Sequence, residues 1–314
     1  MSAINRTTAA ALLALVVLPT GELLAEPIVR SFEAQPGGRI EVDTDVGTVE
    51  ISPTDGTTLT VEVDVSGPGA DEFQVDFRER DSRIEVSGRA GGGIIGGRRN
   101  FVDVEYRIQV PRQFEVEIET SGGSITVGDL DGSVRADTSG GSIEVGRISG
   151  PVWASTSGGG IDVEFSGGDV EAETSGGSIR IEEAEGQISA DTSGGSIRVG
   201  RSKGRVDADT SGGSITVRES SGAVKADTSG GSVKVGFVAQ PDAKTRLSTS
   251  GGSVTVYVAD GVGFDVRAKS GVGVATKFRL EDARMDPGRL EGKLNGGGPV
   301  LDVKASGRVR LEPM

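Results

Sequence analysis

Apolar and polar positions alternate with a fixed period between Thr120 and Thr249. The tetrapeptide Thr-Ser-Gly-Gly begins at Thr120, recurs six more times at intervals of 18 residues, and appears an eighth time at Thr249 after 21 residues. Three extra residues around Gln240–Lys244 account for the longer last interval. A period held over six intervals predicts a stacked repeat architecture, in which each unit packs on its neighbours.

Each 18-residue unit is predicted to contain two short strands, because aliphatic and polar residues alternate at two places. Four columns of aliphatic residues result, and they begin in the first unit at Ile125, Val127, Val134 and Ala136. The first column continues with Ile143, Ile161, Ile179, Ile197, Ile215 and Val233, and the fourth with Ala154, Ala172, Ala190, Ala208 and Ala226. Such columns form when each coil of the chain lies on the previous coil, about 4.8 Å away.

The corners of each coil are predicted from glycine and threonine. Gly122-Gly123 and Gly132, with their repeats, mark the two corners, where positive φ or close backbone approach is needed. The Thr of each Thr-Ser-Gly-Gly continues the inward register after Ala, so its hydroxyl is expected to satisfy backbone groups there.

The predicted fold is therefore all-β: a right-handed parallel β-helix, or β-solenoid, with 18-residue coils and atypical capping coils at both ends. A left-handed hexapeptide helix fits less well, because it repeats an aliphatic residue every six positions and these offsets are uneven. Right-handedness follows from the strong preference of parallel strand connections.

Residues 26–119 carry a blurred version of the repeat. Thr44–Ile51 aligns with Thr120–Val127 position for position. Strand-like alternation follows in Leu59–Val65, Arg83–Val86 and Val102–Val110. We interpret this region as atypical coils that cap the stack, with a separate small β-sandwich as the alternative.

Regular repeats are predicted over residues 120–260, followed by degenerate coils and a cap over residues 261–314. Lys277–Asn295 is expected to be a long loop or an edge cover, and Ser306–Leu311 the final strand. A cap is needed because an open last coil would present bare strand edges for aggregation.

Residues 1–25 have the pattern of a secretory signal peptide. Arg6 precedes the apolar run Ala9–Leu18, and Leu23–Ala25 is a plausible cleavage site. The run is short for a membrane span, so a retained N-terminal anchor is the less favoured alternative. We therefore expect an exported chain in the periplasm or on the cell surface, with no transmembrane segment in its mature form.

Composition excludes several chemistries. The 314 residues include no Cys and no His, which removes the usual zinc sites, thiol nucleophiles and Ser-His triads. The net charge of −14 is dispersed, so nucleic acid and anionic membranes are not expected partners. No cofactor is predicted.

The Gly-rich segment Arg89–Asn100 contains a literal G-x-G-x-x-G at Gly91, Gly93 and Gly96. A dinucleotide-binding fingerprint requires a helix directly after it. The residues that follow, Phe101–Val110, alternate as a strand, so we interpret the segment as a connector.

One outward column could bind a cation. From the second repeat onward, the residue before each Thr is acidic in five repeats, while Ser155 and Ser248 interrupt the column. The candidate Ca²⁺ ligands are Asp137, Glu173, Asp191, Asp209 and Asp227. The turn itself lacks the Asp that calcium β-roll repeats carry, so a solvated acidic edge is the favoured interpretation and no metal is predicted.

Two further outward features were weighed for function. Asp162 and Glu164 share a strand face with Glu144, Arg180 and Glu182 on the neighbouring coils, which could form a carboxylate-rich patch. Polysaccharide-active β-helices place their catalytic groups on long irregular loops, and the turns here are short, so we predict no enzyme. Trp153, the only Trp, is a candidate ligand contact, although a cap loop could cover it.

The Thr-Ser-Gly-Gly-Ser-Ile-x-Val repeats resemble the bacterial β-strand-repeat "putative adhesin" family, related to the auto-transporter adhesin head domain. The segments Val102–Pro111, Gly261–Gly273 and Gly296–Leu311 share the resemblance, which covers the chain from about Phe32 to Leu311. It implies an exported β-helical protein and transfers no catalytic residue. The predicted function is a non-catalytic scaffold that contacts a protein or a glycan at the envelope. The alternatives are a periplasmic accessory or regulatory protein and, third, a polysaccharide-active enzyme.

Overall fold

The computed structural model describes residues 26–91 and 101–314. The predicted signal peptide and two glycines of the Gly-rich segment, Gly93 and Gly96, lie outside these residues. Within them, 29 strands and one short 3₁₀ helix, Ala70–Glu72, are present, and the strands pair into two sheets of 14 and 15 strands. The predicted fold class, a β-solenoid with capping coils at both ends, is confirmed.

The strands are numbered in chain order. The N-terminal strands are β1 (Ile28–Glu33), β2 (Gly38–Thr44), β3 (Thr48–Thr54), β4 (Thr58–Ser66), β5 (Gln74–Arg80), β6 (Arg83–Arg89), β7 (Asp103–Pro111) and β8 (Phe114–Thr120). The central strands are β9 (Ile125–Val127), β10 (Val134–Thr138), β11 (Ile143–Ile148), β12 (Val152–Thr156), β13 (Ile161–Ser166), β14 (Val170–Thr174), β15 (Ile179–Ala184), β16 (Ile188–Thr192), β17 (Ile197–Ser202), β18 (Val206–Thr210), β19 (Ile215–Ser220), β20 (Val224–Thr228), β21 (Val233–Phe237), β22 (Thr245–Thr249) and β23 (Val254–Val258). The C-terminal strands are β24 (Phe264–Ser270), β25 (Gly273–Thr276), β26 (Glu281–Asp286), β27 (Arg289–Leu294), β28 (Val300–Ala305) and β29 (Arg308–Pro313).

The central coils stack in parallel with one strand in each sheet. In the first sheet Ile143 pairs with Ile161, and in the second Val152 pairs with Val170, so equivalent residues of successive coils are neighbours. The side chains of all four predicted inward columns are buried between the two sheets. The core is therefore a set of like-on-like aliphatic columns, as the 18-residue period predicts.

A fifth inward column was missed by the sequence analysis. It runs through the end of each first-sheet strand or bridge: Leu130, Ile148, Ser166, Ala184, Ser202 and Ser220, all buried. Its serines face the second corner, where the Ser202 hydroxyl donates to the Gly204 carbonyl oxygen at 2.8 Å. The column changes from aliphatic to polar along the stack, which hid it from a search for repeated apolar positions.

Threonine forms a hydrogen-bonded ladder at the Thr-Ser-Gly-Gly corner, as predicted. The buried Thr192 hydroxyl donates to the Gly177 carbonyl oxygen of the previous coil at 2.9 Å and accepts from the Gly195 amide at 3.3 Å. The same arrangement recurs at Thr138, Thr156, Thr174, Thr210, Thr228 and Thr249. Each coil is thus tied to the previous one by a side chain as well as by strand pairing.

At the N-terminal end the order of coils in space differs from their order in the chain. Strand β2 lies between β8 and β6, and β3 lies between β9 and β7. The predicted alignment is confirmed, because Thr44 pairs with Thr120 and Ile51 with Val127. The N-terminal strands continue the same two sheets and do not form a separate sandwich.

The C-terminal end repeats this arrangement. Strand β28 lies between β22 and β24, and β29 lies between β23 and β25. The predicted final strand is present as β29, and it is internal to its sheet. Lys277–Asn295 is confirmed as an edge cover, because β26 and β27 form an antiparallel hairpin on β24.

Three of the four sheet edges are formed by strands that pair antiparallel with their neighbours, outside the parallel stack. Strands β1 and β5 form the N-terminal edges, and β26 forms one C-terminal edge. Strand β26 is exposed throughout and carries Glu281, Asp282, Arg284 and Asp286. Charged edge strands discourage pairing with other chains. The fourth edge, β25, is only four residues long.

Candidate functional site

A surface groove of about 640 Å³ follows the Thr-Ser-Gly-Gly corner from Ser155 to Ser250. The strand register places the acidic column along it, with Glu173, Asp191, Asp209 and Asp227 on successive coils. The remaining wall consists of the corner threonines, of Ser155 and Ser248, and of the Ser that opens each turn: Ser157, Ser175, Ser193, Ser211, Ser229 and Ser250. Asp137 belongs to the same column but lies two coils before Glu173 and does not line the groove.

Two of the groove carboxylates, Asp191 and Asp209, have raised pKa values. Partial burial raises the pKa of the Asp191 carboxyl, and the neighbouring Asp209 and Glu173 charges raise it further. Partial burial also raises the pKa of Asp209, against the opposing effect of Lys225. The Lys225 ammonium lies 3.0 Å from Asp209 and 2.7 Å from Asp207, and these contacts raise its pKa. The column is thus partly neutralised at one coil and unpaired at Asp191.

The geometry does not single out a cation site. Among residues 26–91 and 101–314, no group of three or more Asp, Glu, His or Cys side chains is arranged to hold a metal ion. Ca²⁺ coordination usually requires six to eight oxygen ligands. Ca²⁺ binding by Asp137, Glu173, Asp191, Asp209 and Asp227 therefore stays a hypothesis, and the solvated acidic edge stays the favoured interpretation.

Trp153 lies on the outer face of the second sheet, in strand β12, and is half-buried. The Arg135 guanidinium of the preceding coil stacks over the indole, 5.2 Å from the ring centroid. The ring is covered on that side by a side chain and not by a cap loop. On the side of the following coils a depression of about 550 Å³ lies next to the ring, and its polar lining includes Glu171, Gln187 and Ser189.

The predicted carboxylate patch is present on the outer face of the first sheet. Glu144, Asp162, Glu164 and Glu182 line one shallow depression. Arg180 lies between two of these carboxylates, 3.5 Å from Asp162 and 3.8 Å from Glu182. Partial burial raises the pKa of Asp162, while Arg180 lowers it. The patch is an ion-pair network on a flat surface, and it does not hold two free carboxylates around an enclosed space.

Two stacked Arg–aromatic pairs were not predicted from the sequence. The Arg135–Trp153 stack follows from the strand register, which places the two residues side by side. A second stack, in which Arg147 lies 4.4 Å from the Phe165 ring centroid, is on the first sheet. The column positions of these residues could have revealed both pairs, because each Arg precedes its aromatic by 18 residues.

These features define a two-sheet β-solenoid with inserted capping coils and chemically varied outer faces. The chain belongs to the family described as Toastrack DUF4097, which matches residues 38–277. No curated protein matches the chain. Across the described residues, no helix is long and apolar enough to pass through a membrane.

Three solved structures are similar to the chain. One is a "putative cell adhesion protein" from Clostridium sporogenes, with 12% identity and a TM-score of 0.21, over 92% of this chain and 100% of the other. A "putative adhesin" from Parabacteroides distasonis has 12% identity and a TM-score of 0.36, over 91% and 97%. A "putative adhesin" from Bacteroides fragilis has 12% identity and a TM-score of 0.26, over 92% and 97%. Likenesses of this extent carry no conclusion about activity.

Proposed function

We propose that this chain is an exported, non-catalytic scaffold of the bacterial envelope, whose long sheet faces contact a protein or glycan partner. The observation that carries the proposal is the contrast between inward and outward positions. Inward columns repeat the same kind of aliphatic residue, whereas the outward column beside them changes between neutral, acidic and basic at four of its six steps. That column reads Thr126, Glu144, Asp162, Arg180, Arg198, Thr216 and Lys234.

The length of the sheets supports a role as a binding surface for a large partner. Fourteen strands stacked at about 4.8 Å give a sheet roughly 60 Å long. Since the coils are held by main-chain ladders and by the threonine ladder, the outer side chains project from a preformed surface. A preformed surface loses little entropy when a partner binds, which favours binding over a large area.

Adhesion at the cell surface is the favoured role, and an accessory role in the periplasm is the second candidate. The signal-like pattern over residues 1–25 supports export in either case. Catalysis on polysaccharide is the weaker third candidate, because Arg180 and Arg218 pair with the carboxylates of the first-sheet patch. Release of sugar from an acidic polysaccharide by the purified chain would favour the third candidate over the other two.

Protease accessibility in cells tests the proposal. A protease site and an epitope tag are inserted between Asp242 and Ala243, in the exposed loop that joins β21 and β22. Cleavage by protease added to intact cells supports surface adhesion. Cleavage only after the outer envelope is permeabilised supports the periplasmic role. Protection until the cells are lysed contradicts export, and a variant lacking residues 1–25 provides the unexported control.

A further inference from the structure

The depression beside Trp153 has the dimensions and the boundaries of a ligand site. Its volume of about 550 Å³ falls within the range that small-molecule sites occupy. It lies on the outer face of the second sheet and extends over the strands that follow β12, namely β14, β16 and the start of β18. Neighbouring coils are about 4.8 Å apart, so it extends about 14 Å from Trp153 to Asp207.

Arg135 holds the indole in place from the side opposite the depression. Arg135 belongs to β10, and the lining residues Glu171 and Ser189 belong to β14 and β16, on the other side of β12. The guanidinium stack at 5.2 Å therefore covers the side of the ring toward the preceding coil. The side that lines the depression is left for a ligand, and an aromatic face of this kind stacks on flat apolar surfaces.

Three polar side chains beside the ring have donors and acceptors that are not used within the described chain. Glu171, Gln187 and Ser189 line the depression, and within the described chain their side-chain polar atoms make no hydrogen bond or ion pair. Together they offer a carboxylate acceptor, an amide and a hydroxyl. A ligand with one apolar face and several hydroxyl groups on its rim would use the ring and all three groups at once.

The charge around the depression restricts the ligand further. Asp169, Glu171 and Asp207 contribute three carboxylates, whereas Arg205 is the only cation among the lining residues. Arg205 lies 3.6 Å from Asp207, and Lys225 lies 2.7 Å from the same carboxylate, whereas Asp169 and Glu171 form no ion pair within the described chain. An anionic sugar such as a uronic acid would therefore be repelled.

We propose that this depression binds a neutral glycan, with one sugar ring stacked on Trp153 and its hydroxyl groups bonded to Glu171, Gln187 and Ser189. The proposal rests on the proposed scaffold function and specifies a partner for its second-sheet face. Glu171 is the neighbour of Trp153 on the next coil, so it is placed to bond the hydroxyls of the stacked ring. Ser189 keeps the centre of the depression open because its side chain is small.

Intrinsic fluorescence tests the proposal directly, because Trp153 is the only Trp of the sequence and reports on this depression alone. The purified chain is titrated with cellotriose, mannotriose and chitotriose, and with trigalacturonate as the anionic probe. We expect at least one neutral trisaccharide to shift or quench the emission in a saturable way, with dissociation constants of about 0.1–10 mM. Trigalacturonate is expected to have no effect.

Three variants distinguish specific binding at this depression from non-specific binding elsewhere on the protein. Trp153→Ala and Glu171→Ala, followed by calorimetry with the responding trisaccharide, should each weaken binding about tenfold or more. Phe165→Ala removes the equivalent Arg-stacked aromatic of the first sheet and should leave binding unchanged. Circular dichroism confirms that all three variants are folded.

Three results would overturn the glycan site. The first is the absence of a response to every neutral trisaccharide at 20 mM (roughly twice the weakest expected constant). The second is binding that Trp153→Ala leaves intact, and the third is an equal response to trigalacturonate. The titration uses purified protein and does not depend on location, so its failure leaves the envelope scaffold standing. Conversely, failure of the protease experiment would leave glycan binding measurable.

Discussion

The central coils and the two ends of the solenoid are assembled by different rules. Between β9 and β23 each coil packs on the coil that precedes it in the chain. At each end, one coil is inserted between two coils that follow each other in the sequence. At the N-terminal end, the coil of β2 and β3 lies between the coil of β6 and β7 and the coil of β8 and β9. At the C-terminal end, the coil of β28 and β29 lies between the coil of β22 and β23 and the coil of β24 and β25. The central stack can therefore form locally, whereas each end requires a strand to return from a distance. Non-local pairing of this kind forms slowly. It places the inserted coil inside both sheets and away from their edges.

Glycine is used differently in the two regions. Throughout residues 124–260, all of which the structure describes, no glycine has a positive φ, whereas such glycines occur toward both ends, for example Gly47 and Gly261. In the centre the second Gly of each turn is required because the backbones of adjacent coils touch. A Cβ on Gly141 would lie 2.0 Å from the Gly123 carbonyl oxygen. The repeat glycines are thus constrained by close approach, whereas some end glycines, such as Gly261, are constrained by turn geometry alone.

Two deletions of equal length, one in the central coils and one at the C-terminal end, should show the largest difference in stability. Removing residues 175–192 excises one central coil in register, and we expect a shorter folded rod with a Tm within a few degrees of the parent. Removing residues 297–314 takes away β28 and β29, including the buried Leu301, Val303, Val309 and Leu311. Loss of that core should lower the Tm by about 15 °C or more or cause aggregation. Calorimetry and size-exclusion chromatography check both, and equal losses would contradict the distinction.

The loss of stability caused by three Gly→Ala variants should depend on why glycine is needed at each position. Gly141→Ala should destabilise by about 2–3 kcal/mol or more, because the added methyl collides with the backbone of the neighbouring coil. Gly261→Ala should cost about 1–2 kcal/mol, because its φ of 81° disfavours a side chain although no atom lies within 4 Å of the methyl. Gly140→Ala, whose nearest atom would be 3.8 Å away, should change stability by less than about 0.5 kcal/mol.

Denaturant unfolding measures all three variants. Gly261→Asn serves as the control for the end position, since Asn tolerates positive φ better than Ala. A Gly140→Ala cost as large as that of Gly141→Ala would mean that turn conformation, and not coil contact, selects the central glycines.

The acidic column should make the stability of the protein depend on pH through Asp191. The pKa of Asp191 is raised in the folded state, so the folded protein binds this proton more tightly than the unfolded chain does. The stabilisation from that proton is present at low pH and is lost as the pH rises through the folded-state pKa. Asp191→Asn should therefore stabilise the protein at pH 7, by less than about 1 kcal/mol, and have little effect below about pH 3.

The end of the same column provides the matched control. Asp43 occupies the equivalent position in β2 and forms an ion pair with Arg89. Asp43→Asn should leave stability unchanged or lower it slightly at pH 7, since it removes an exposed pair. Thermal melts of both variants from pH 3 to pH 8 test the contrast. Equal stabilisation by the two substitutions would show that the general negative charge of the protein, and not the column, is responsible.

Calcium should have the smallest effect. The central column lacks a turn carboxylate and a preformed cluster, so 5 mM CaCl₂ (about the level that weak extracellular sites require) is expected to leave the Tm unchanged. MgCl₂ at equal ionic strength is the control for screening. A rise of several degrees with Ca²⁺ alone, lost in Asp191→Asn, would establish the column as a metal site.

The sequence predicted the centre of this molecule better than its ends. The columns that begin at Ile125, Val127, Val134 and Ala136 repeat with the 18-residue period, and strand pairing between consecutive coils follows from it. Insertion itself leaves no periodic signal, because nothing in β28 or β29 indicates which coils they lie between. The alignment of Thr44–Ile51 with the repeat revealed the register of one inserted coil but not the outer coil of β6 and β7.

The candidate sites show the same limit. Trp153 and the acidic column were found because their outward positions follow directly from the inward register. The depression was not found, because it depends on the small side chain of Ser189 and on Arg135 covering one side of the indole. Side-chain volume on a flat sheet decides where a surface is concave, and periodicity carries no information about it.

Hydrogen–deuterium exchange of the full chain, read by peptide mass spectrometry, tests the insertion of the end coils most directly. If the account is correct, protection follows position in the sheet: β29 lies near the end of the chain yet is flanked by β23 and β25, and should exchange as slowly as central strands such as β19. The edge strand β26 should exchange rapidly. Rapid exchange of β28 and β29, as expected of a frayed terminus, together with slow exchange of β26 would contradict the account.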